Sequence, residues 1–144
     1  FLAGFTTMCL LLNGPLPLFN RSLDFQTMIF ASMCALSGFQ LISLGAFAKS
    51  YALTEGYLEK DSLFIGLFRI FNLEKGLLMG SSFVLVGTFL AASVFKAWLS
   101  FASVGQERKA LLAFTIIMIG IQVIFSSFLI SIIGMKNGKD KFLK

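Results

Sequence analysis

Few residues in this chain could carry chemistry, and they lie outside its apolar segments. The 144 residues include seven Asp and Glu and no His, whereas acid–base catalysis at neutral pH usually needs a His or a carboxylate with a shifted pKa. We expect all seven carboxylates to lie in solvated connectors or the tail. There is no DxD or other paired-acid motif, no glycine-rich phosphate loop and no nucleophile beside a base. We therefore predict neither a catalytic residue nor a metal site in this chain.

The cysteines and the positive net charge are more typical of a membrane protein than of a metal-binding or nucleic-acid-binding protein. Cys9 and Cys34 lie inside apolar runs, which favours small buried apolar side chains over a disulfide or a metal pair. Without His or closely spaced cysteines, a structural zinc site is excluded. The net charge is +5, but the basic residues flank apolar runs, as lipid headgroups favour. We expect no nucleic-acid partner.

Four apolar runs make up most of the chain, and they predict an all-α membrane protein. The chain is 57% hydrophobic and 13% charged, against about 25% charged residues in a soluble domain. Residues 27–48 carry no charge, and as a helix they would reach roughly 33 Å, enough to cross a hydrocarbon core of about 30 Å. We predict one transmembrane domain over residues 1–144, with two hairpins built from spans at 1–12, 27–48, 76–95 and 110–135.

The first of these runs is too short to span a membrane alone. Because the chain opens inside an apolar run, without the basic region of a signal peptide, we expect a fragment of a longer protein whose upstream part completes this helix. The run Asn13-Gly14-Pro15-Leu16-Pro17 should end the helix. An exposed connector should follow, with Asp24 as the cap of the next span.

A separate amphipathic helix is predicted over residues 62–74, between the second and third spans. Its polar face carries Ser62, Gly66, Arg69 and Asn72. We expect it to lie in the membrane interface with its apolar face in the acyl boundary. A helix packed under a soluble domain would have a similar face and remains the alternative. The apolar face comprises Leu63, Phe64, Leu67, Phe68, Ile70 and Phe71.

Polar and small residues inside the spans should shape contacts between helices. The Gly76-xxx-Gly80 spacing allows two helices to approach closely, although Gly76 could also be only a turn residue. The intramembrane amides and hydroxyls should bond to neighbouring helices, with the lining of a ligand site as the alternative. These residues are Gln40, Gln122, Ser126, Ser127 and Ser131.

The distribution of basic residues predicts the orientation of the chain. Four of the twelve Lys and Arg fall on one side of the predicted membrane and eight on the other. The positive-inside rule places the side with eight, and with it both termini, in the cytoplasm. Gly38-Phe39-Gln40-Leu41-Ile42 recurs as Gly120-Ile121-Gln122-Val123-Ile124, in two spans that would run the same way. This pattern fits a parallel repeat about the membrane normal or a chance match.

The most distinctive segments are GFQLISLGAFAKSYA at 38–52, FRIFNLEKGLLMG at 68–80 and GIQVIFSSFLISIIGM at 120–135. They resemble the C-terminal membrane region of bacterial family 2 glycosyltransferases of the polyprenyl-phosphate (dolichol-phosphate sugar synthase-like) type. The resemblance covers nearly the whole chain, including the order of the spans. It implies an N-terminal cytoplasmic nucleotide-sugar domain, dependent on Mg²⁺ or Mn²⁺, that passes a sugar to polyprenyl phosphate in the bacterial inner membrane. The residues of that catalytic domain are absent here, so no catalytic residue carries over.

Within this resemblance the chain would anchor the enzyme and dock its lipid acceptor. We hypothesise that Lys49, Arg69 and Lys75, the basic collar, attract the lipid phosphate at the cytoplasmic surface, while the Phe-rich face of 63–71 and the clefts between hairpins hold the isoprenoid. Alternatively, these cations only anchor helix ends.

Two other classes remain open on composition. A small four-helix transporter or polyprenyl-glycan flippase subunit is disfavoured, because a proton-coupled transporter is expected to bury an ionisable residue in a span and none is found here. A purely structural anchor or assembly module fits as well, and so does a homo-oligomer.

Overall fold

A computed structural model describes residues 1–12, 14, 16–18, 21–55, 73–100 and 106–139 of the chain. Three of its helices are long and apolar enough to cross a membrane. The predicted all-α membrane class is therefore confirmed. In chain order the elements are α1 (Leu2–Leu11), β1 (Leu16–Leu18), β2 (Arg21–Leu23), α2 (Phe25–Thr54), α3 (Leu73–Leu99) and α4 (Gln106–Lys139).

The helices extend beyond the apolar runs that predict them. Helix α2 continues past Lys49 as far as Thr54, since a charged residue ends the hydrocarbon stretch but only a Gly, a Pro or a cap ends a helix. Helix α3 begins at Leu73 rather than Gly76, so the last two residues of the predicted interfacial helix belong to α3. The rest of that helix, 62–72, lies outside the described residues.

Helix α1 is short and ends where the sequence predicts. Its ten residues reach about 15 Å, half of a hydrocarbon core. Gly14 follows with φ +150°, a backbone conformation that residues other than glycine rarely adopt. The connector that follows contains an antiparallel ribbon, in which β1 and β2 pair with Leu16 opposite Leu23.

Asp24 occupies the N-cap position of α2, but its side chain makes no capping hydrogen bond. The prediction that Asp24 caps this helix is therefore confirmed in position, although the carboxylate takes no part in the cap. Its backbone carbonyl accepts from the Met28 N–H at 3.2 Å, while its carboxylate pairs with Arg108. A charged partner forms a stronger hydrogen bond with a carboxylate than a neutral amide does.

Helix α4 is the centre of the described bundle, because it packs against α3 on one side and α2 on the other. Helix α1 packs on α2, so the layer order is α1–α2–α4–α3. The first turns of α2 and α4 meet through Asp24 and Arg108, which means that these two helices run in the same direction. A parallel repeat of GFQLI in α2 and GIQVI in α4 requires the two helices to run in the same direction.

The buried core of the bundle is small, and most large apolar side chains face outward. Met8, Leu11, Met28 and Ala31 form a cluster where α1 meets α2, with Leu111 and Leu112 of α4 packed against it. Outward-facing side chains include Phe89, 77% exposed, and Leu85, 71% exposed. Such a surface would favour association in water, but it suits a lipid environment, where helices associate through close packing.

Candidate functional site

Small residues bring α3 and α4 into backbone contact. A Cβ built on Gly80 would lie 2.8 Å from the Gly120 carbonyl oxygen, and one built on Gly120 would lie 2.8 Å from the Gly80 carbonyl oxygen. Real Cβ contacts below 3.0 Å are essentially never observed. The two glycines therefore allow an approach that any side chain would prevent, as small residues do between membrane helices.

The same contact extends along both helices. Gly76 lies against the Ser127 side chain, and a Cβ on Gly87 would lie 3.0 Å from the Ala113 carbonyl oxygen. The predicted close approach at Gly76-xxx-Gly80 is thus confirmed, with α4 as the partner helix. Ser127 is buried, and its hydroxyl donates to the Val123 carbonyl oxygen at 2.8 Å, so it bonds within its own helix rather than across the interface.

Arg108 ties three elements together at one end of the bundle. Its guanidinium donates to the Leu11 carbonyl oxygen at 2.8 Å and to the Asp24 carboxylate at 2.6 Å. The Arg108 side chain is 14% exposed and that of Asp24 is 63% exposed. Helix C-termini leave carbonyls unpaired and carry partial negative charge, so a cation bound to Leu11 stabilises the end of α1. The pair joins α1, α2 and α4.

Two members of the predicted basic collar lie at the opposite end of the bundle. Lys49 is half-buried on the C-terminal part of α2, and Lys75 is exposed in the first turns of α3. Lys49 lies on α2 and Lys75 on α3, and both of these helices pack against α4. Arg69 and the apolar face of 63–71 lie outside the described residues.

The intramembrane polar residues occupy unlike positions. Gln40 is exposed on α2. Gln122 is half-buried on α4, and its Oε1 atom is enclosed without a hydrogen-bond partner among the described residues. Ser126 and Ser131 are half-buried. An enclosed amide oxygen with no donor is costly in an apolar environment, which makes Gln122 the polar residue whose position is hardest to explain by packing.

The cysteines are placed otherwise than the sequence predicts. Cys9 and Cys34 are both free and exposed on their helices, because the buried faces of α1 and α2 are taken by Gly4, Met8 and Ala31. The described residues contain no group of three or more His, Cys, Asp or Glu that could hold a metal ion. The described residues place apolar helix surface between cations at both ends of the bundle, with Lys49 and Lys75 at one end and Lys96, Arg108 and Lys109 at the other.

Sequence reasoning missed the residues that hold the bundle together. In the sequence Arg108 counts only as a charge that sets orientation, because no local pattern links it to Asp24, 84 positions away. Sequence reasoning also gave no role to Gly87, although Gly80 and Gly87 are seven residues, nearly two turns, apart and so share a face. Gly120 appeared only as part of a repeat.

Comparison with known proteins places these helices in a family. Residues 46–134 match the model of the glycosyltransferase family 2 C-terminal transmembrane region. This match runs from the last turns of α2 through α3 and most of α4. Neither the curated proteins nor the solved structures give a match. The chain is an integral membrane protein, and it belongs to the family of glycosyltransferase family 2 C-terminal transmembrane regions.

Proposed function

We propose that this chain anchors a family 2 glycosyltransferase in the bacterial inner membrane and docks its polyprenyl-phosphate acceptor. The family match over residues 46–134 is the observation that carries the proposal. The matched residues include Lys49 near the end of α2, Lys75 near the start of α3, and α4 as far as residue 134. A catalytic domain joined N-terminally to these helices would bind the nucleotide sugar and the Mg²⁺ or Mn²⁺ ion.

The residues of this chain would act by position and charge. Lys49 and Lys75 lie at the same end of the bundle, and a basic residue close to a membrane surface attracts an anionic headgroup by about 1 kcal/mol. With Arg69 they form the basic collar that holds the acceptor phosphate. The isoprenoid lies along the outward apolar surface of the helices, so the phosphate stays at the height of the active site.

The orientation follows from the same charges. Eight of the twelve basic residues lie in segments attached to the end that carries Lys49 and Lys75. Since basic residues are retained in the cytoplasm, we assign this end and both termini to the cytoplasmic side. Nucleotide sugars are then on the side of the membrane where the collar holds the acceptor.

The proposal is tested by matched changes of charge in the full-length enzyme. Lys49→Gln with Lys75→Gln should raise KM for polyprenyl phosphate about thirtyfold with little change in kcat, because the collar binds substrate without touching the transferred sugar. Adding Arg69→Gln should raise it further. The control, Lys96→Gln with Lys109→Gln, removes two exposed cations at the other end of the bundle. An unchanged KM in the collar variant, or an equal rise in the control, would leave the collar only its anchoring role.

A further inference from the structure

A groove opens between α3 and α4 at the end of the bundle opposite to the basic collar. Its volume is about 450 Å³. Glycines at 76, 80 and 87 hold the two helices together elsewhere, but Val94 and Trp98 continue the same face of α3 at helical spacing. Because these side chains are bulky, the helices cannot approach as closely there. The walls are Val94, Phe95, Trp98, Ala110 and Phe114, with Glu107 at the rim.

The groove lies at the level of a lipid headgroup and the first part of its acyl chain. Trp98 is one residue from the end of α3 and Glu107 is one residue from the start of α4, so both lie near the membrane surface, where Trp is favoured. Ala91 and Phe114 also line the groove, seven residues deeper on their helices, which is about 10 Å. The inner part is apolar, as an acyl chain requires.

The charge at the rim selects for a cation. Glu107 is exposed, and the ion pair formed among the described residues nearby joins Arg108 to Asp24 instead. Lys96 and Lys109 are two residues from Trp98 and Glu107 respectively, so they point away from the groove. The rings of Phe95 and Trp98 stack with centroids 6.1 Å apart. A carboxylate beside an indole attracts an ammonium group through charge and through the ring face.

We infer that this groove binds a phospholipid with a primary-amine headgroup, phosphatidylethanolamine, with its ammonium at Glu107 and Trp98 and an acyl chain against Phe114. The site lies at the other end of the bundle from the basic collar. It is therefore independent of the proposed function. Its role is to hold a structural lipid at this end of the α3–α4 hairpin.

The single tryptophan of the chain makes the site directly observable. Trp98 is the one Trp among 144 residues, and bromine atoms on a lipid chain quench its fluorescence on contact. The chain is reconstituted in phosphatidylcholine vesicles, and brominated phosphatidylethanolamine or brominated phosphatidylglycerol is added in rising mole fraction. Half-maximal quenching should need about fivefold less of the ethanolamine lipid than of the glycerol lipid.

Two variants separate the groove from a purely structural role of the carboxylate. Glu107→Gln should abolish the lipid preference. Glu74→Gln should retain it, because Glu74 lies in the first turn of α3 as Glu107 does in α4 and has the same favourable interaction with its helix dipole. Ala110→Leu, which fills the groove without changing charge, should weaken quenching by both brominated lipids.

The outcomes decide between the groove and ordinary lipid contact. Equal quenching by both lipids in the native chain would overturn the inference, as would a preference that survives Glu107→Gln. If Glu107→Gln fails to reconstitute as a helical protein by circular dichroism, Ala110→Leu still tests the site. Undiminished quenching in that variant would show that the brominated chains reach Trp98 from outside the groove.

Discussion

The backbone contact between α3 and α4 makes Gly120→Ala the most informative stability variant. The added Cβ would lie 2.8 Å from the Gly80 carbonyl oxygen and 2.9 Å from the Val84 backbone nitrogen. Neither atom belongs to a flexible side chain that could turn aside. Since ordinary Cβ contacts begin at 3.4 Å, α3 must move away from α4 by about half an ångström, with loss of packing on both sides of the contact.

The magnitude follows from two opposing effects. Overpacking of a close contact costs about 1–3 kcal/mol, while replacing a helical Gly by Ala gains up to about 1 kcal/mol in helix propensity. Gly45→Ala isolates the first effect, because nothing lies within 4 Å of a Cβ at Gly45 and the propensity gain is the same. The free energies of unfolding of the two variants should therefore differ by about 2 kcal/mol, with Gly120→Ala the less stable.

Reversible unfolding in mixed detergent micelles, followed by far-UV circular dichroism, measures this difference. Gly80→Ala should behave as Gly120→Ala does, because a Cβ at Gly80 meets the Gly120 carbonyl oxygen at 2.8 Å. Equal stability of Gly120→Ala and Gly45→Ala would contradict the backbone contact between α3 and α4, because the helices would then have room for the added methyl group.

Two further stability predictions use the same unfolding assay. Arg108→Met should lower the free energy of unfolding by about 2 kcal/mol, since it removes two charged hydrogen bonds at a largely buried guanidinium. The exposed control Lys109→Met should stay within about 0.5 kcal/mol of the native chain. Equal effects of the two substitutions would contradict a stabilising role of Arg108 where α1, α2 and α4 meet. Gln122→Leu should keep or raise stability, because it removes an amide oxygen enclosed without a donor, while Val123→Ala at the buried neighbouring position should lose about 1–2 kcal/mol. A clear loss in Gln122→Leu would indicate that the amide has a partner.

Patterning of the sequence was sufficient for the class and the approximate positions of the helices. Uncharged runs such as 27–48 have a length that only a membrane-spanning helix explains, and Gly14 beside two prolines ends α1 for local steric reasons. Helix ends were less predictable, because Lys49 marks the limit of the hydrocarbon and not the end of hydrogen bonding along α2. The ribbon of residues 16–18 and 21–23 depends on pairing between strands that show no alternating pattern.

Contacts between helices could be predicted only in part. The spacing of Gly76 and Gly80 indicates a close approach, yet it cannot say which helix approaches, and the partner is identified only when Gly120 is seen opposite. The pairing of Arg108 with Asp24 joins residues 84 positions apart, which no local pattern encodes. For the basic collar, the sequence supplied the charges, and the fold adds that Lys49 and Lys75 share one end of the bundle.

Direct labelling by the acceptor tests whether polyprenyl phosphate binds at the end of the bundle that carries Lys49 and Lys75. A polyprenyl phosphate with a photoreactive group next to its phosphate is bound to the chain in vesicles and cross-linked, and the labelled peptides are identified by mass spectrometry. Labelling is expected near Lys49, Lys75 and Ser127, at one end of the bundle, with competition by unlabelled polyprenyl phosphate but not by polyprenol. Labelling concentrated near Trp98 and Arg108 at the opposite end, or labelling that polyprenol displaces equally well, would contradict this expectation.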